Sequence, residues 1–586
     1  MAQLMTTMLP IEHINGQALT TEQTNYLTGF FAGLAARGLK FSEVEPSPVL
    51  AQPAGKRVVL EDLIFEERVK HELHPLDAYS LLLDNAAHNK APDKEETFRF
   101  KWNGLFYLTP VKDSFMARLR IPGGVLKSFQ LREIARIAQE LTTGYVQITT
   151  RANLQIRLIQ PKDAPEVLHR IQTVGLHTRG AGADNIRNLT ANPTAGIDPH
   201  ELIDVMPLCH ELAQIIINDR SFYDLPRKFN IAYDGGGLIG SVEDTNDIGA
   251  KAVKVGTEIF FRIALGGATG HKAFARDLGV LVKPAELNKV ITAIVRVFIA
   301  NGNRTDRKRA RLKHLLDTWT LDQYLAETEK LLGYQLQRID PSAPMETSTA
   351  LARESAVRHT HIGVYPQKQP GLNYVGAALQ VGQITPKQMI RLAEIADLYG
   401  SGEVRLTVWQ NFIIPNVPDA FVNTAKKALK KLGFDTQQSH IRGGLIACTG
   451  NAYCKYAQAA TKTHALELAQ YLEKKITLDQ PINIHLTGCP HSCAQHYMGD
   501  IGLLGTKVKV GGESVEGYHV FVGGGFDSNQ AVGRQVFTGI SAGDLPGTLE
   551  KMLRGYLRHR TPGERFQSFT QRYDLNNLQA IFSNEE

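Results

Sequence analysis

The chain repeats itself. Residues 126–156 align without a gap on residues 384–414, at a constant spacing of 258 residues. The identical pairs are Gln130/Gln388, Ala135/Ala393, Ile137/Ile395, Ala138/Ala396, Gly144/Gly402, Val146/Val404, Thr149/Thr407, Asn153/Asn411 and Ile156/Ile414. Each copy reads as a helix followed by a strand pair. Leu131, Ile134, Ala135, Ala138 and Leu141 recur at helical spacing, and a Gly turn follows. Val146 and Ile148, then Leu154, Ile156 and Leu158, alternate as in strands with one buried face. Solenoid units repeat every 20–50 residues or so, and this spacing is far longer. The reading is a duplicated α+β module with approximate twofold symmetry, and a site is expected where its halves meet.

Composition narrows the class. A length of 586 residues predicts about four units. An apolar fraction of 43% and a charged fraction of 21% exclude a disordered, collagen-like or coiled-coil chain. No run of about 18 apolar residues predicts a membrane span. The start MAQLMTTMLPIEHINGQ lacks a basic segment followed by an apolar one, so a cytoplasmic protein is expected. The net charge of +6 fits an anionic ligand or an acidic partner, and is too small and evenly spread to argue for nucleic acid. Residues 41–56 read as a linker, 84–98 as a polar loop and 339–370 as a connection between halves. The helix-rich 456–475 and the Gly-rich strands near 517–526 read as a further α/β domain.

Four of the five cysteines fall within 46 residues: Cys448 and Cys454 in ACTGNAYCKYA, Cys489 and Cys493 in HLTGCPHSCAQHYMGDIGLLG. Soft thiolates suit an iron–sulfur cluster or zinc. Structural zinc knuckles are usually tight, and the five residues between Cys448 and Cys454 are not. Cys209, in VMPLCHELAQIII, reads as a small core residue. In FMARLRI, alternation puts Phe115, Ala117, Leu119 and Ile121 on one face and Arg118 and Arg120 on the other; Arg151, Gln155 and Arg157 share a face if pairing is regular.

The paired motifs CTGNAYC and TGCPHSCAQHYMGDIGLLG resemble those of the sirohaem-dependent nitrite and sulfite reductases. FMARLRIPGG, TTRANLQIR, GADNIRN, LPRKFN and NGNRTDRKRARLK resemble further blocks of that family, in its order, from residue 100 to about 560. The resemblance implies an α+β fold: internally duplicated ferredoxin-like repeats plus two α/β domains that bind sirohaem and cluster, related by a pseudo-twofold axis. The expected units are an N-terminal extension (1–99), the first repeat half (100–165), a sirohaem/substrate domain (166–340), the second repeat half (341–425) and a [4Fe–4S]/sirohaem domain (426–586).

It also implies roles. Cys448, Cys454, Cys489 and Cys493 hold a [4Fe–4S] cluster, and Cys493 also ligates the sirohaem iron. Arg118, Arg187, Lys228 and Asn230 match the substrate positions. Arg151, Gln155 and Arg157 match positions around the sirohaem. Arg304, Arg307, Lys308, Arg309, Arg311 and Lys313 match a block that meets its carboxylates, with spacing silent on which of them reach it. Sirohaem carries eight carboxylates, and arginine forks meet carboxylates in pairs. Sulfite-type members have a second Lys where this chain has Asn230, so nitrite is the expected substrate, reduced to ammonia by six electrons. Sulfite reductase is the alternative. A non-catalytic four-cysteine metal module is the rival from another class. No G-x-G-x-x-G follows a strand, so electrons are expected from an external carrier, an acidic ferredoxin by resemblance. The glycine clusters 235–237 and 523–525 read as turns or close approaches.

Overall fold

A computed structural model describes residues 13–14, 17–18, 60–107, 114–142, 144–340, 342, 344–347 and 359–583. The expected linker at 41–56 lies outside them. The chain divides into two units, 1–62 and 63–586. In the first, His13–Ile14 and Gln17–Ala18 pair as an antiparallel hairpin, and Leu60–Asp62 forms a single 3₁₀ turn.

In the second unit the duplication extends beyond the stretch legible as identities. Strands Leu105–Phe106 and Phe115–Arg118, helix Ser128–Glu140, strands Val146–Ile148 and Leu154–Ile159, and helix Ala164–Thr173 make the first copy. Strands Gly363–Pro366 and Leu372–Ala377, helix Pro386–Tyr399, strands Glu403–Leu406 and Phe412–Pro418, and helix Val422–Lys431 make the second. The shared residues explain the shared backbone. Gln130 and Gln388 cap their helices and donate to the Val174 and Leu432 carbonyls, 3.0 and 3.1 Å away. Thr149 and Thr407 N–H groups each donate to the carbonyl of Asn153 or Asn411 at 2.9 Å, closing the same turn.

The halves trade a strand. Val125–Lys127 of the first pairs with Glu403–Arg405 of the second, and Gln383–Ile384 of the second pairs with Val146–Gln147 of the first. Two five-stranded antiparallel sheets result, sharing one continuous core, and neither half is complete without the other.

Two α/β domains complete the unit. In one, strand Ile231–Asp234 runs parallel to Ile248–Val255, followed by antiparallel Glu258–Leu265 and Arg276–Val282 and by helix Leu287–Asn301. In the other, Leu445–Ala447, Ile484–Thr487 and Ile501–Val510 are parallel, followed by antiparallel Glu513–Val522 and Arg534–Ser541 and by helix Leu545–His559. Cys209 is fully buried in helix Met206–Asn218, as expected. The polar stretch 84–98 is not a loop. Helix Tyr79–Ala87 enters it, and Asp93 and Glu96 form a capping box that starts helix Lys94–Arg99. Among the described residues no helix is long and apolar enough to cross a membrane.

Candidate functional site

The cysteines leave one end of a parallel sheet. Ala447 lies opposite Leu486 in register, so Cys448 and Cys489 both emerge just past the carboxyl ends of neighbouring strands. This is where open α/β sheets place ligands. The Gly488 N–H donates to Cys448 Sγ at 3.2 Å. Between Cys489 and Cys493 the chain turns through Ser492 at φ 52°, a left-handed conformation that is uncommon for a non-glycine residue. The four thiols act on one another: burial, then the other three cysteines, push Cys489 up to about 12. Among the described residues no three His, Cys, Asp or Glu side chains could share one metal ion.

The repeat's first copy supplies the facing wall. Arg118 and Gln155 are opposite in register, so the expected polar face forms. Arg157 donates to Gln155 Oε1 (2.7 Å), Gln147 Oε1 (3.1 Å) and Thr449 Oγ1 (2.8 Å), which ties the repeat to the first cysteine loop. Arg151 donates to Asn246 Oδ1 at 2.8 Å. Thr150 Oγ1 donates to the carbonyl of Cys493 itself at 3.0 Å. Arg120 shares the strand but not the role. Its guanidinium is buried and donates to the carbonyls of Arg179, Ile186 and Arg187, fixing the loop that presents Arg187.

Arg187 and Lys228 arrive together because Ile186 bridges Phe229. Phe229 is buried against Phe298, so its neighbours Lys228 and Asn230 turn the other way. Arg187 donates to the Ala181 and Ala183 carbonyls at 2.7 Å, and Arg118 donates to the same Ala181 carbonyl at 3.3 Å.

The result is a chamber of crowded positive charge beside Cys493. Burial pushes Arg118, Arg151 and Arg157 down to about 10. Burial, then Arg311, pushes Lys228 down to about 7; Arg187 falls well below its ordinary value for the same first reason, then through Arg118. Cys493 has free surface, but that surface opens into the chamber: burial and Cys448 raise its thiol, while Lys228 and Arg118 pull the other way. Lys228 has no hydrogen-bond partner among the described residues, and Arg187 Nε and Asn230 Oδ1 are buried without one. Uncompensated buried cations cost several kcal/mol each, so this chamber fits a polyanion.

The basic run 304–313 divides. Arg311 reaches the chamber and forms a buried pair with Asp247 (2.7 Å). Arg307 grips Asp184 with two nitrogens, at 2.5 and 2.9 Å. Arg304 is engaged by Glu67 and Asp224 and ties down helix Phe65–Glu72; Lys313 pairs with Asp317. Lys308 and Arg309 are exposed and have no carboxylate partner among the described residues. The block is thus partly a structural clamp, because acidic side chains of this chain already neutralise four of its six cations.

A family model described as the nitrite and sulphite reductase 4Fe–4S domain matches residues 182–336 and again 444–586. A second, the nitrite/sulfite reductase ferredoxin-like half domain, matches 109–174 and 365–432. The chain belongs to the nitrite and sulfite reductase family. Similar relatives include a ferredoxin–nitrite reductase of Synechococcus elongatus, 37% identical over 78% of this chain and 88% of its own length. The chloroplastic ferredoxin–nitrite reductase of Zea mays is 34% identical over 80% of this chain and 85% of its own. The assimilatory ferredoxin-dependent nitrite reductase of Haloferax mediterranei is 32% identical over 81% and 84%. The structure of the Mycobacterium tuberculosis NirA protein superposes with a TM-score of 0.82 at 29% identity, covering 88% of this chain and 97% of that one. The family carries sirohaem and a [4Fe–4S] cluster. Four thiols that act on one another and a chamber of buried, crowded cations fit both groups.

Residues not read from the sequence also build the site. Asp247 accepts from Arg311 and from the Asn230 N–H at 2.8 Å, so one carboxylate sets both. Asn246 holds Arg151. The missed signal was a second, fainter duplication: Asn230, Ile231, Gly235, Asp247, Ile248 and Gly249 recur 253 residues later as Asn483, Ile484, Gly488, Asp500, Ile501 and Gly502. Asp500 accepts from the Asn483 N–H at 2.7 Å, the same bond.

Proposed function

We propose that this protein reduces nitrite to ammonia, taking six electrons from a ferredoxin-class carrier. The observation that carries the reading is the cation chamber around Cys493 with Asn230, not a second lysine, beside Lys228. The overall reaction, NO₂⁻ + 6 e⁻ + 8 H⁺ → NH₄⁺ + 2 H₂O, needs an anion held still, oxygens protonated and water released. When bound, sirohaem and cluster supply the iron that takes the anion and the path for electrons.

The chain's own residues do the rest. Lys228 and Arg187 are assigned to the anion's oxygens, where preformed donors stabilise charge as each oxygen leaves. Arg118 reinforces them from the opposite strand. Arg151, Arg157 and Arg311 are assigned to the prosthetic group's carboxylates, with Gln155 fixing Arg157. Asp247 orients Arg311 and the Asn230 backbone. Cys448, Cys454, Cys489 and Cys493 would hold the cluster, and Cys493 would also serve the sirohaem iron. One singly charged nitrite needs one cation fewer than doubly charged sulfite, which Asn230 satisfies. Exposed Lys455, next to Cys454, suits an acidic donor approaching on the cluster side. Thiolate ligands favour a reducing compartment, hence the cytoplasm.

The test is nitrite and sulfite reduction side by side, with a chemically reduced carrier, on protein shown to contain sirohaem. The expected result is a kcat/KM at least about tenfold higher for nitrite. A preference for sulfite would overturn the assignment.

A further inference from the structure

The second duplication reaches back one helix further, at a spacing of 256 residues. Glu211, Leu212, Ala213 and Gln214 recur as Glu467, Leu468, Ala469 and Gln470, and Leu189 and Ala191 recur as Leu445 and Ala447. Cys448 then stands where the other domain has Asn192. One bond confirms the match: the Gly488 N–H donates to Cys448 Sγ at 3.2 Å, and the Gly235 N–H donates to Asn192 Oδ1 at 2.7 Å. On the same spacing Lys462 stands where the other domain has Met206. Each lies in the first turn of its helix, Thr461–Glu473 or Met206–Asn218.

The two side chains fill equivalent slots. A Cβ at Gly123 would lie 2.3 Å from Met206 Sδ and 3.8 Å from Ala191 Cβ, so the thioether sits against Gly123. Lys462 Nζ donates to the carbonyl of Val381 and, at 3.4 Å, to that of Ala447. Val381 is the counterpart of Gly123 at spacing 258, and Ala447 that of Ala191 at 256. An uncharged side chain therefore fills the slot in the domain without the cysteine quartet, and a cation fills it in the domain that has one. Lys462 is 6% exposed and pairs with no carboxylate among the described residues. Burial pushes it down to about 7, while Cys448 pulls it up and Arg157 pushes it further down. Two carbonyls solvate an ammonium only in part, and a buried charge without a counter-charge is costly. Cys448, as an iron-bound thiolate, is the negative group that Lys462 acts on.

We propose that Lys462 is the counter-cation of the iron–sulfur cluster, a buried ammonium that favours the cluster's reduced form and raises its reduction potential. Reduction adds one negative charge, and a fixed cation in a low-dielectric site stabilises that charge more than it would in water. Net charge and hydrogen bonding near the sulfurs are among the levers that set such potentials. Lys462 touches no substrate and acts through Cys448. Resting on the cluster that the family carries and not on the choice of substrate, this role is the same whichever anion is reduced beside Cys493.

The experiment is a potentiometric titration of holoenzyme, with the reduced cluster followed by electron paramagnetic resonance and iron measured per chain. Lys462→Met, which installs the residue of the counterpart slot, should lower the cluster's midpoint by at least a tenfold change in its one-electron equilibrium, about 59 mV. Lys462→Gln should lower it as well, since its amide still donates to a carbonyl but carries no charge. Lys462→Arg keeps the charge and should recover most of that shift. Iron should stay at the wild-type level in the Gln and Arg variants, which decide the matter if Lys462→Met does not hold its cluster. An unchanged midpoint in either iron-replete neutral variant would overturn the proposal, as would a midpoint in Lys462→Arg as low as in Lys462→Met. Loss of iron from Lys462→Gln would overturn it too, because the lysine would then be a tie between Val381 and Ala447 and not a source of charge.

Discussion

The two copies of the repeat share a backbone and almost nothing of the site. Where the first copy has Arg118, Arg151, Gln155 and Arg157, the second has Gly376, Trp409, Ile413 and Pro415. A Cβ at Gly376 would lie 2.2 Å from the His361 carbonyl, so the second copy has no space for a side chain there. The flanking domains diverge in the same way, with Gly236 and Gly240 in place of Cys489 and Cys493. What both copies keep is scaffold: the Gln130 and Gln388 caps, the Asn153 and Asn411 turns. The lesson is that this architecture holds its shape without a prosthetic group on one side, and chemistry sits in the positions where the copies differ.

The largest break in that comparison is at Cys493. Cys493→Ser puts a hard oxygen where soft iron needs sulfur. Cluster and sirohaem absorbance should both fall to near zero in the visible spectrum. The same thiol-free position already exists at Gly240, and Gly240→Ala should leave the spectrum untouched. Retained absorbance in Cys493→Ser would remove the shared-ligand assignment.

The next pair contrasts Arg151 with Trp409. Arg151→Ala should lower sirohaem content per protein and activity together. Trp409→Ala should keep sirohaem and instead lose roughly 3–5 kcal/mol of stability, because it empties a buried aromatic position that is 7% exposed. Denaturant unfolding read beside the haem absorbance separates the two outcomes. Lys228→Ala and Arg187→Ala come third. Each should cut nitrite turnover by more than about tenfold, since losing one preformed donor costs about 3–4 kcal/mol. Sirohaem content should hold in Lys228→Ala, whose ammonium has no protein partner to lose. Wild-type rates in both would refute an anion pocket.

Much of this was legible in residues alone, for identifiable reasons. Helical spacing and Gly turns exposed the repeat because its helix and turn are the same in both copies. The strand exchange was not legible: Val125–Lys127 and Gln383–Ile384 pair across 258 residues, and nothing local marks a strand's partner. The cysteine quartet was readable as four clustered thiols, and alternation pointed to Arg118, Gln155 and Arg157, while Arg187 and Lys228 were legible only through the resemblance of their motifs. The run 304–313 was readable only as charge. Which of its members are neutralised depends on Glu67, Asp184, Asp224, Asp247 and Asp317, far away in sequence for all but one. The second duplication escaped because its divergence is concentrated in the loops that carry function, leaving at spacing 253 eight scattered identities, Lys254/Lys507 and Val255/Val508 among them, in two strands and their ends.

That second duplication sets the fourth test. Asp247 and Asp500 each accept a backbone N–H from the matching asparagine, but Asp247 also carries buried Arg311. Removing one member of a buried pair strands the other, at about 3–5 kcal/mol. Asp500→Asn keeps an amide oxygen that can still accept the Asn483 N–H, so it costs less. Asp247→Asn should therefore destabilise more than Asp500→Asn, and it alone should lower turnover. Equal losses of both kinds would mean that Arg311 does not matter to the chamber.

The smallest effect is expected at Asn230, whose counterpart is Asn483. Asn230 is 5% exposed, its Oδ1 lacks a partner, and it flanks buried Phe229 on the same side as Lys228. Asn483 Oδ1 instead meets His359 Nε2 at 3.2 Å. Asn230→Lys would add a second ammonium beside Lys228. At an effective dielectric of 20 and about 4 Å, one extra unit of anion charge is worth on the order of 4 kcal/mol before screening. The net gain is much smaller, because the new ammonium must be desolvated among Lys228, Arg187 and Arg311, which repel it. The sulfite-to-nitrite ratio of kcat/KM should rise a few-fold. Asn483→Lys should leave that ratio unchanged, since it faces no anion, and should cost stability alone. An unchanged ratio in sirohaem-replete Asn230→Lys would show that position 230 does not choose between the anions. Substrate preference would then have to be sought in Arg118 and Arg187.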